Sequence, residues 1–533
     1  MSNKSSLHRD VGVIALTMTG IGSIIGSGWL FGASKAARLA GPDAVWAWVI
    51  GAVIILVIAL TYAELGAMFP ESGGMVRFGL YTHGSLVGSL AAWAAWLSVV
   101  SVIPVEAFAS VQYMASWPWD WANPWAHNLF QDGKVSDTGL VIGAVLVVIY
   151  FLLNFWSVKL FARTNTAITT FKLIIPALTA VLLIASGFHS GNFDVGTHGG
   201  AHVSDLAAVL TAVATAGIVF SFNGFQSPVN LAGESKNPSR DVPIAVIGSI
   251  VICAFIYVLL QVGFLGAVPA EMLTKAGWSG IQFSSPYAQL ALAANINFLA
   301  ILLYVDAFVS PSGTGSTYTA SSSRMLWGME RNGILPKVFG TVHPVYGIPR
   351  PAMWLNLVVA FIFFFWFQGW DKGADVTSVA CVLSYLIGPV SVAVLRDIAP
   401  EKARPLKLPA LKWLAGAAFT LGTLVLYWAR WPLTGKVLIT LLPVLLLWIY
   451  YEWVGGWKDF GQHMRGALWL VIYLPGVAVL SYIGSDQFGG IGLMPFGWDL
   501  LIVAAFGAGF FVWGVKSGWR TLHLEAASAE TRH

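Results

Sequence analysis

The feature that most constrains this chain recurs along its whole length: apolar runs of at least 18 residues, separated by short polar loops. They cover roughly residues 11–38, 43–68, 84–115, 137–156, 165–187, 206–230, 243–267, 289–326, 351–368, 375–394, 411–429, 436–454, 467–485 and 498–516; we number them spans 1 to 14. A helix needs about 20 apolar residues to cross the hydrocarbon core of a bilayer. In lipid every backbone N–H and C=O must also find its partner inside the protein, which helices achieve segment by segment. An all-α integral membrane protein with about 14 transmembrane helices is therefore predicted. The residues are 57% hydrophobic and only 10% charged, where a soluble domain carries about 25% charged residues. The 25 Trp suit the two membrane interfaces.

An even number of spans puts both termini on one side, and Lys and Arg choose the side. With a cytoplasmic N-terminus, the inner segments hold 21 of the 29 basic residues, the outer segments 7, and Lys172 lies within a span. Both termini are thus predicted to be cytoplasmic, in a multi-pass protein of the cell (inner) membrane. The polar start "MSNKSSLHRD" lacks the form of a cleavable signal peptide. The outer loop "SWPWDWANPWAHNLF" reads as an interfacial cap.

Several functions are disfavoured. The net charge of +4 is spread over short loops, so no nucleic-acid partner is expected. The ten His form no cluster with acidic residues, which argues against a membrane enzyme, and neither metal nor cofactor is expected. No Walker-type phosphate loop is present for an ATP-driven pump. Cys253 and Cys381 both sit in apolar runs and read as small buried hydrophobes.

Two spans contradict their own helicity. Gly20 to Gly32 reads "GIGSIIGSGWLFG", with five Gly and two Ser, and 217–228 reads "GIVFSFNGFQSP". Glycine costs a helix interior about 1 kcal/mol relative to Ala. Irregular backbone at membrane depth persists only where it is buried in protein or lines a cavity. Breaks in the first and sixth spans are the expected mark of a five-plus-five inverted repeat with a binding site at mid-membrane; glycine for close helix packing is the other reading.

Further motifs carry a resemblance. "TYAELGAMFPESGG" ends span 2, "AGESKNPSRDVPIA" follows span 6 and "NGILPKVFGTVHPVYGIPRPA" follows span 8. With the glycine stretch of span 1, in this order, the chain resembles the amino acid–polyamine–organocation transporter superfamily over roughly residues 8–395. Within it the length and span count look most like a bacterial aspartate–proton symporter branch. The resemblance implies a LeuT-like fold with discontinuous helices 1 and 6. The expected organisation is a cytoplasmic tail (1–10), a first repeat (11–187), a second repeat (206–394), four accessory helices (411–516) and a C-terminal tail (517–533).

The expected function is secondary active import of an amino acid with protons by alternating access, aspartate or another polar amino acid being candidate substrates. An exchanger of amino acids or polyamines without ion coupling, and a substrate-sensing receptor on the same scaffold, remain alternatives. At the break in span 1, free N–H groups of Ser27, Gly28 and Trp29 would start a half-helix whose dipole favours a carboxylate. Carbonyls around Ile24 and Gly26, and those of Phe220 and Ser221, would take the ammonium. Phe220 matches a gating aromatic of the relatives, Asn223 is placed to bond a polar substrate group, and Tyr318 aligns with a pocket aromatic; packing or capping roles remain open for all three.

Lys172, in "FKLIIP" of span 5, is the lone basic residue well inside a span rather than near its end, and an ionisable group there is a functional candidate by default. The resemblance implies that such an ammonium replaces the sodium that other relatives hold between helix 1 carbonyls and helix 8 hydroxyls. Proton coupling is thus assigned to Lys172, with Glu106 of span 3 as a second carrier. Snorkelling of Lys172 to the interface and a sodium site at Ser321, Ser322 and Ser323 are the competing readings. Gating or structural roles are expected for Glu64, Glu234, Arg240, Asp306 and Gln226, the last standing where some relatives have an acid; Asp306, like Glu106, could also neutralise a substrate cation or carry a proton, and a structural pairing stays open for both. Lys35 and Arg38, at the outer end of span 1, would steer anions or anchor the helix.

Overall fold

The computed structural model describes residues 10–530 apart from 72, 132–133, 157, 344–347 and 458. Residues 1–9 of the expected tail, with Lys4 and Arg9, lie outside the described residues, as do Lys458, Arg532 and part of the motif after span 8.

The fold is helical throughout, apart from a short antiparallel pair, Phe130–Gln131 with Lys134–Val135, in the outer loop after span 3. Twelve helical stretches among the described residues are long and apolar enough to cross a membrane. The difference from the fourteen expected spans arises at the breaks. The outer half of span 1 runs on through a 3-10 turn at Gly41–Asp43 into span 2, giving one stretch Gly28–Met68. Span 6 is divided into Leu206–Thr215, Ile218–Ser221 and Ser227–Asn230, each too short to cross.

Span 1 consists of Val13–Ile24 and Gly28–Ala40, with Ile25 extended between them. Tertiary contacts hold the break open. A Cβ on Gly26 would lie 2.7 Å from a Glu106 carboxylate oxygen and 3.2 Å from the Thr314 methyl, so only glycine lets spans 3 and 8 approach. In span 6, Gly224 has φ +121°, and a Cβ there would sit 2.5 Å from the Ser23 carbonyl carbon. Each glycine-rich break is thus seated against a neighbour that glycine alone admits.

At one end the fold is clamped. The Glu64 carboxylate of span 2 accepts two bonds from the Arg396 guanidinium of span 10 (2.9 and 2.8 Å) and one from the Leu408 N–H (3.0 Å). The motif after span 6 packs differently. Glu234 is half-buried, its carbonyl accepting the Val11 N–H at 3.0 Å, while Arg240 is exposed. Near the same face the buried His83 lies between the Thr82 hydroxyl (2.8 Å) and the Gly514 carbonyl of span 14 (2.9 Å). In the loop after span 3 the indoles of Trp117, Trp119, Trp121 and Trp125 cluster with ring centroids 5.5 to 6.1 Å apart.

Candidate substrate and coupling site

The two breaks face each other inside the helix bundle. Around the space between them stand Ser23, Ile24, Gly26, Gly28, Val102, Glu106, Phe220, Asn223, Thr314 and Tyr318. Ile24, Gly26, Gly28, Phe220, Asn223, Tyr318 and Glu106 are thereby brought together from spans 1, 3, 6 and 8. The enclosed volume is about 10 Å³, room for one water molecule. Ser27 and Ser221 flank this space without lining it. The Ser27 hydroxyl accepts a bond from the Trp370 indole N–H (2.8 Å), and the Ser221 hydroxyl donates to the Gly217 carbonyl (2.7 Å).

Several backbone groups at the breaks have protein partners. The Ser27 N–H, expected to be open to a substrate carboxylate, donates to both oxygens of Glu106 (3.0 and 3.2 Å). The half-helix favours an acidic group at its start, and in this conformation that group is a side chain of span 3. The carbonyls of Ile24 and Ser221 both face the hydroxyl of Tyr257 in span 7 (3.3 and 3.2 Å). The Ser23 carbonyl accepts from the Tyr318 hydroxyl at 3.4 Å. Tyr257 escaped the sequence reading, because a tyrosine in an apolar run carries no mark of its partner.

Lys172 is 2% exposed. Its ammonium donates to the Thr314 hydroxyl at 2.6 Å and to the Gly22 carbonyl at 3.2 Å. The snorkelling reading does not describe this geometry, since the amine points to the break in span 1. The Thr314 hydroxyl also lies 3.4 Å from the Ile25 carbonyl. The ammonium thus sits between helix 1 carbonyls and a helix 8 hydroxyl, and that hydroxyl was not among the serines singled out. Ser322 and Ser323 turn back to carbonyls of their own helix, Tyr318 and Thr319, at 2.7 Å each. Thr314 was findable: it precedes Tyr318 by four residues, on the same helix face.

Asn223 is held rather than free. Its carbonyl oxygen accepts the Tyr385 hydroxyl (2.9 Å) and the Gln226 amide (2.8 Å), and its own amide donates to the Ser98 carbonyl (3.3 Å). Gln226 in turn accepts the Gly224 N–H at 3.0 Å, so it braces the break in span 6. Above the site the ring of Phe220 meets Trp370 edge-on at 6.0 Å. Beyond it, Lys35 pairs with Asp375 of span 10 at 2.7 Å, which binds the outer half of span 1 to span 10. Asp306 is fully buried in span 8, one oxygen accepting the Ser310 hydroxyl at 2.6 Å.

The comparisons with known proteins agree with this architecture. Residues 11–451 match the amino acid permease family. The glutamate/serine transporter AimA of Bacillus subtilis (strain 168) is 53% identical over 98% of this chain and 96% of its own length. The aspartate-proton symporter of the same organism is 34% identical over 97% and 98%. The serine/threonine exchanger SteT, also from that organism, is 26% identical over 79% and 92%. The chain therefore shares more residues with a glutamate/serine transporter than with the aspartate–proton symporter it was expected to be most like. It is a multi-pass membrane transporter of amino acids, not an enzyme, and belongs to the amino acid permease family.

Proposed function

We propose that this protein imports a polar amino acid together with protons by alternating access. The observation that carries this reading is the Lys172 ammonium, 2.6 Å from the Thr314 hydroxyl and 3.2 Å from the Gly22 carbonyl. A fixed amine there ties span 5 to the break in span 1 and to span 8 when charged, and releases both when neutral. Proton gain and loss thereby acts on the segments that would have to move. Glu106 supplies the complementary group: protonation weakens its hold on the Ser27 N–H and frees that donor for the carboxylate of a substrate. The remaining residues take substrate roles. Carbonyls of Ile24, Gly26 and Ser221 would take the substrate's ammonium, those of Ile24 and Ser221 in exchange for the Tyr257 hydroxyl; Phe220 and Tyr318 would cover it, and Asn223 with Gln226 and Tyr385 would form the polar wall.

Similarity to a glutamate/serine transporter favours glutamate and serine as first substrates to try. We count fourteen crossings, with spans 1 and 6 broken, and place both termini in the cytoplasm of an inner-membrane protein from the excess of inner Lys and Arg.

The test is uptake of labelled serine, glutamate, aspartate and putrescine into liposomes under an imposed inward proton gradient, with Lys172→Ala alongside. Gradient-dependent accumulation of an amino acid, lost in the variant while substrate binding persists, is the expected result. Uptake that requires preloaded substrate and ignores the gradient would mark an exchanger and overturn the reading.

A further inference from the structure

Five carboxyl side chains among the described residues are buried: Glu64, Glu106, Asp241, Asp306 and Asp499. Four of them have charged or N–H partners. Glu64 has Arg396, and Glu106 has the Ser27 N–H. Asp241 accepts the Asn237 N–H and the Ser235 hydroxyl, and Asp499 accepts the Gly497 and Leu500 N–H groups and the Tyr427 hydroxyl. Asp306 is the exception. It is 0% exposed, its one bond comes from the Ser310 hydroxyl, and its second oxygen has no partner. An ionised carboxylate in such surroundings would be an uncompensated charge. The neutral acid, with a proton on the free oxygen, is the form they accept.

Its position gives that proton somewhere to go. Asp306, Ser310 and Thr314 are spaced by four residues and share one face of the helix Asn297–Arg331. Thr314 ends this polar stripe on the Lys172 ammonium. Across from it, the Ser110 hydroxyl of span 3 touches the Ala307 carbonyl (3.0 Å) and the Glu106 carbonyl (3.5 Å). On the outward side, two residues before Asp306, the Tyr304 hydroxyl donates to the Ser116 carbonyl at 2.7 Å and lies 3.5 Å from the Ser285 hydroxyl. Ser116 is only half-buried, at the edge of the outer loop. The titratable groups that face Asp306 are Lys172 of span 5 and Tyr113 of span 3, the latter itself beside Tyr287 and Tyr304. Of these, Lys172 is the one cation.

We propose that Asp306 is a proton-carrying station on the outward side of Lys172, loaded from the outer face and discharged toward Glu106. In the discharge step the O–H bond of Asp306 breaks and an O–H bond forms on the Glu106 carboxylate. Any hydroxyl or water between them gives one proton as it takes the other and ends unchanged. Asp306 is then reprotonated from the outer solution. The inference rests on the proton-coupled reading above.

The experiment uses the full chain in proteoliposomes, with Asp306→Asn and Asp306→Glu beside the wild type. Two rates are read: accumulation of labelled serine and glutamate under an inward proton gradient, and counterflow at equal pH, which needs no net proton movement. The expected result is that D306N keeps counterflow but loses accumulation by about tenfold or more, and that D306E restores it. The infrared carbonyl-stretch band of a protonated carboxyl should also disappear in D306N. Accumulation in D306N within about twofold of wild type, or loss of counterflow in both variants, would overturn the proposal and leave Asp306 a structural acid. An unchanged carbonyl band would overturn it equally. If the wild type itself ignores the gradient, it is the proton-coupled reading that fails.

Discussion

Replacing Arg396 with Gln should destabilise the protein far more than replacing its partner Glu64 with Gln. The Glu64 side chain is 0% exposed and Arg396 is 17% exposed, with N···O distances of 2.7 to 2.9 Å. In R396Q a fully buried carboxylate keeps only the Leu408 N–H at 3.0 Å. Removing one partner of a buried pair costs about 3–5 kcal/mol, because the remaining charge stays uncompensated. In E64Q the amide oxygen can still accept the Leu408 N–H. The arginine retains its contact to the Leu408 carbonyl and some solvent, so the cost should be about 1–2 kcal/mol. The double variant should cost less than the sum, with a coupling of about 1.5 kcal/mol or more. Unfolding of the purified protein by SDS in mixed micelles, followed by tryptophan fluorescence, measures all three. A cost below about 1 kcal/mol for R396Q would place this pair among ordinary surface bridges and refute the clamp.

Gly224→Ala should abolish transport and sharply lower the amount of folded protein, because its Cβ would meet the Ser23 backbone at 2.5 Å. Gly73→Ala, which also needs φ > 0 but has nothing within 4 Å, should be tolerated far better, and fluorescence-detected size exclusion compares the two. Thr314→Val removes the shorter bond of Lys172, a loss of about 1.5 kcal/mol or more and hence about tenfold in gradient-driven accumulation, which Thr314→Ser should restore in the liposome assay. Burial holds the His83 imidazole down at about 4 from its usual 6.5, a shift partly offset by its bond to the Gly514 carbonyl. Its folded value lies below the unfolded one, so its stabilisation is complete above about pH 6.5 and drains as pH falls toward 4, by about 3 kcal/mol in all. SDS unfolding between those pH values should show this slope in wild type and lose it in His83→Gln.

The broken helices were legible because glycine and proline interrupt a membrane helix only where the backbone has other work. Lys172 was legible because one cation in an apolar run stands out against its surroundings. The contacts these groups make were not. Glu106 and Ser27 are 79 residues apart, and nothing local to either points to the other. Tyr257, Tyr385 and Trp370 look like any aromatic residue of a packed helix until their polar ends are seen at the breaks. The run of three serines drew attention away from Thr314, since a hydroxyl's orientation on a helix is a matter of which neighbour packs there. Lys35, read from position alone as a steering or anchoring charge, proves to be paired with Asp375 at 2.7 Å.

The bond between Glu106 and the Ser27 N–H carries a cost for anything that enters. An incoming carboxylate meets an internal competitor, tethered to the same scaffold and therefore present at high effective concentration. Affinity in this conformation is reduced in proportion, so a weak or accidental anion gains little hold. Such a built-in rival also keeps the half-helix dipole neutralised between cycles. On the transport cycle proposed above, the unloaded carrier would then change state without drawing stray ions into its core.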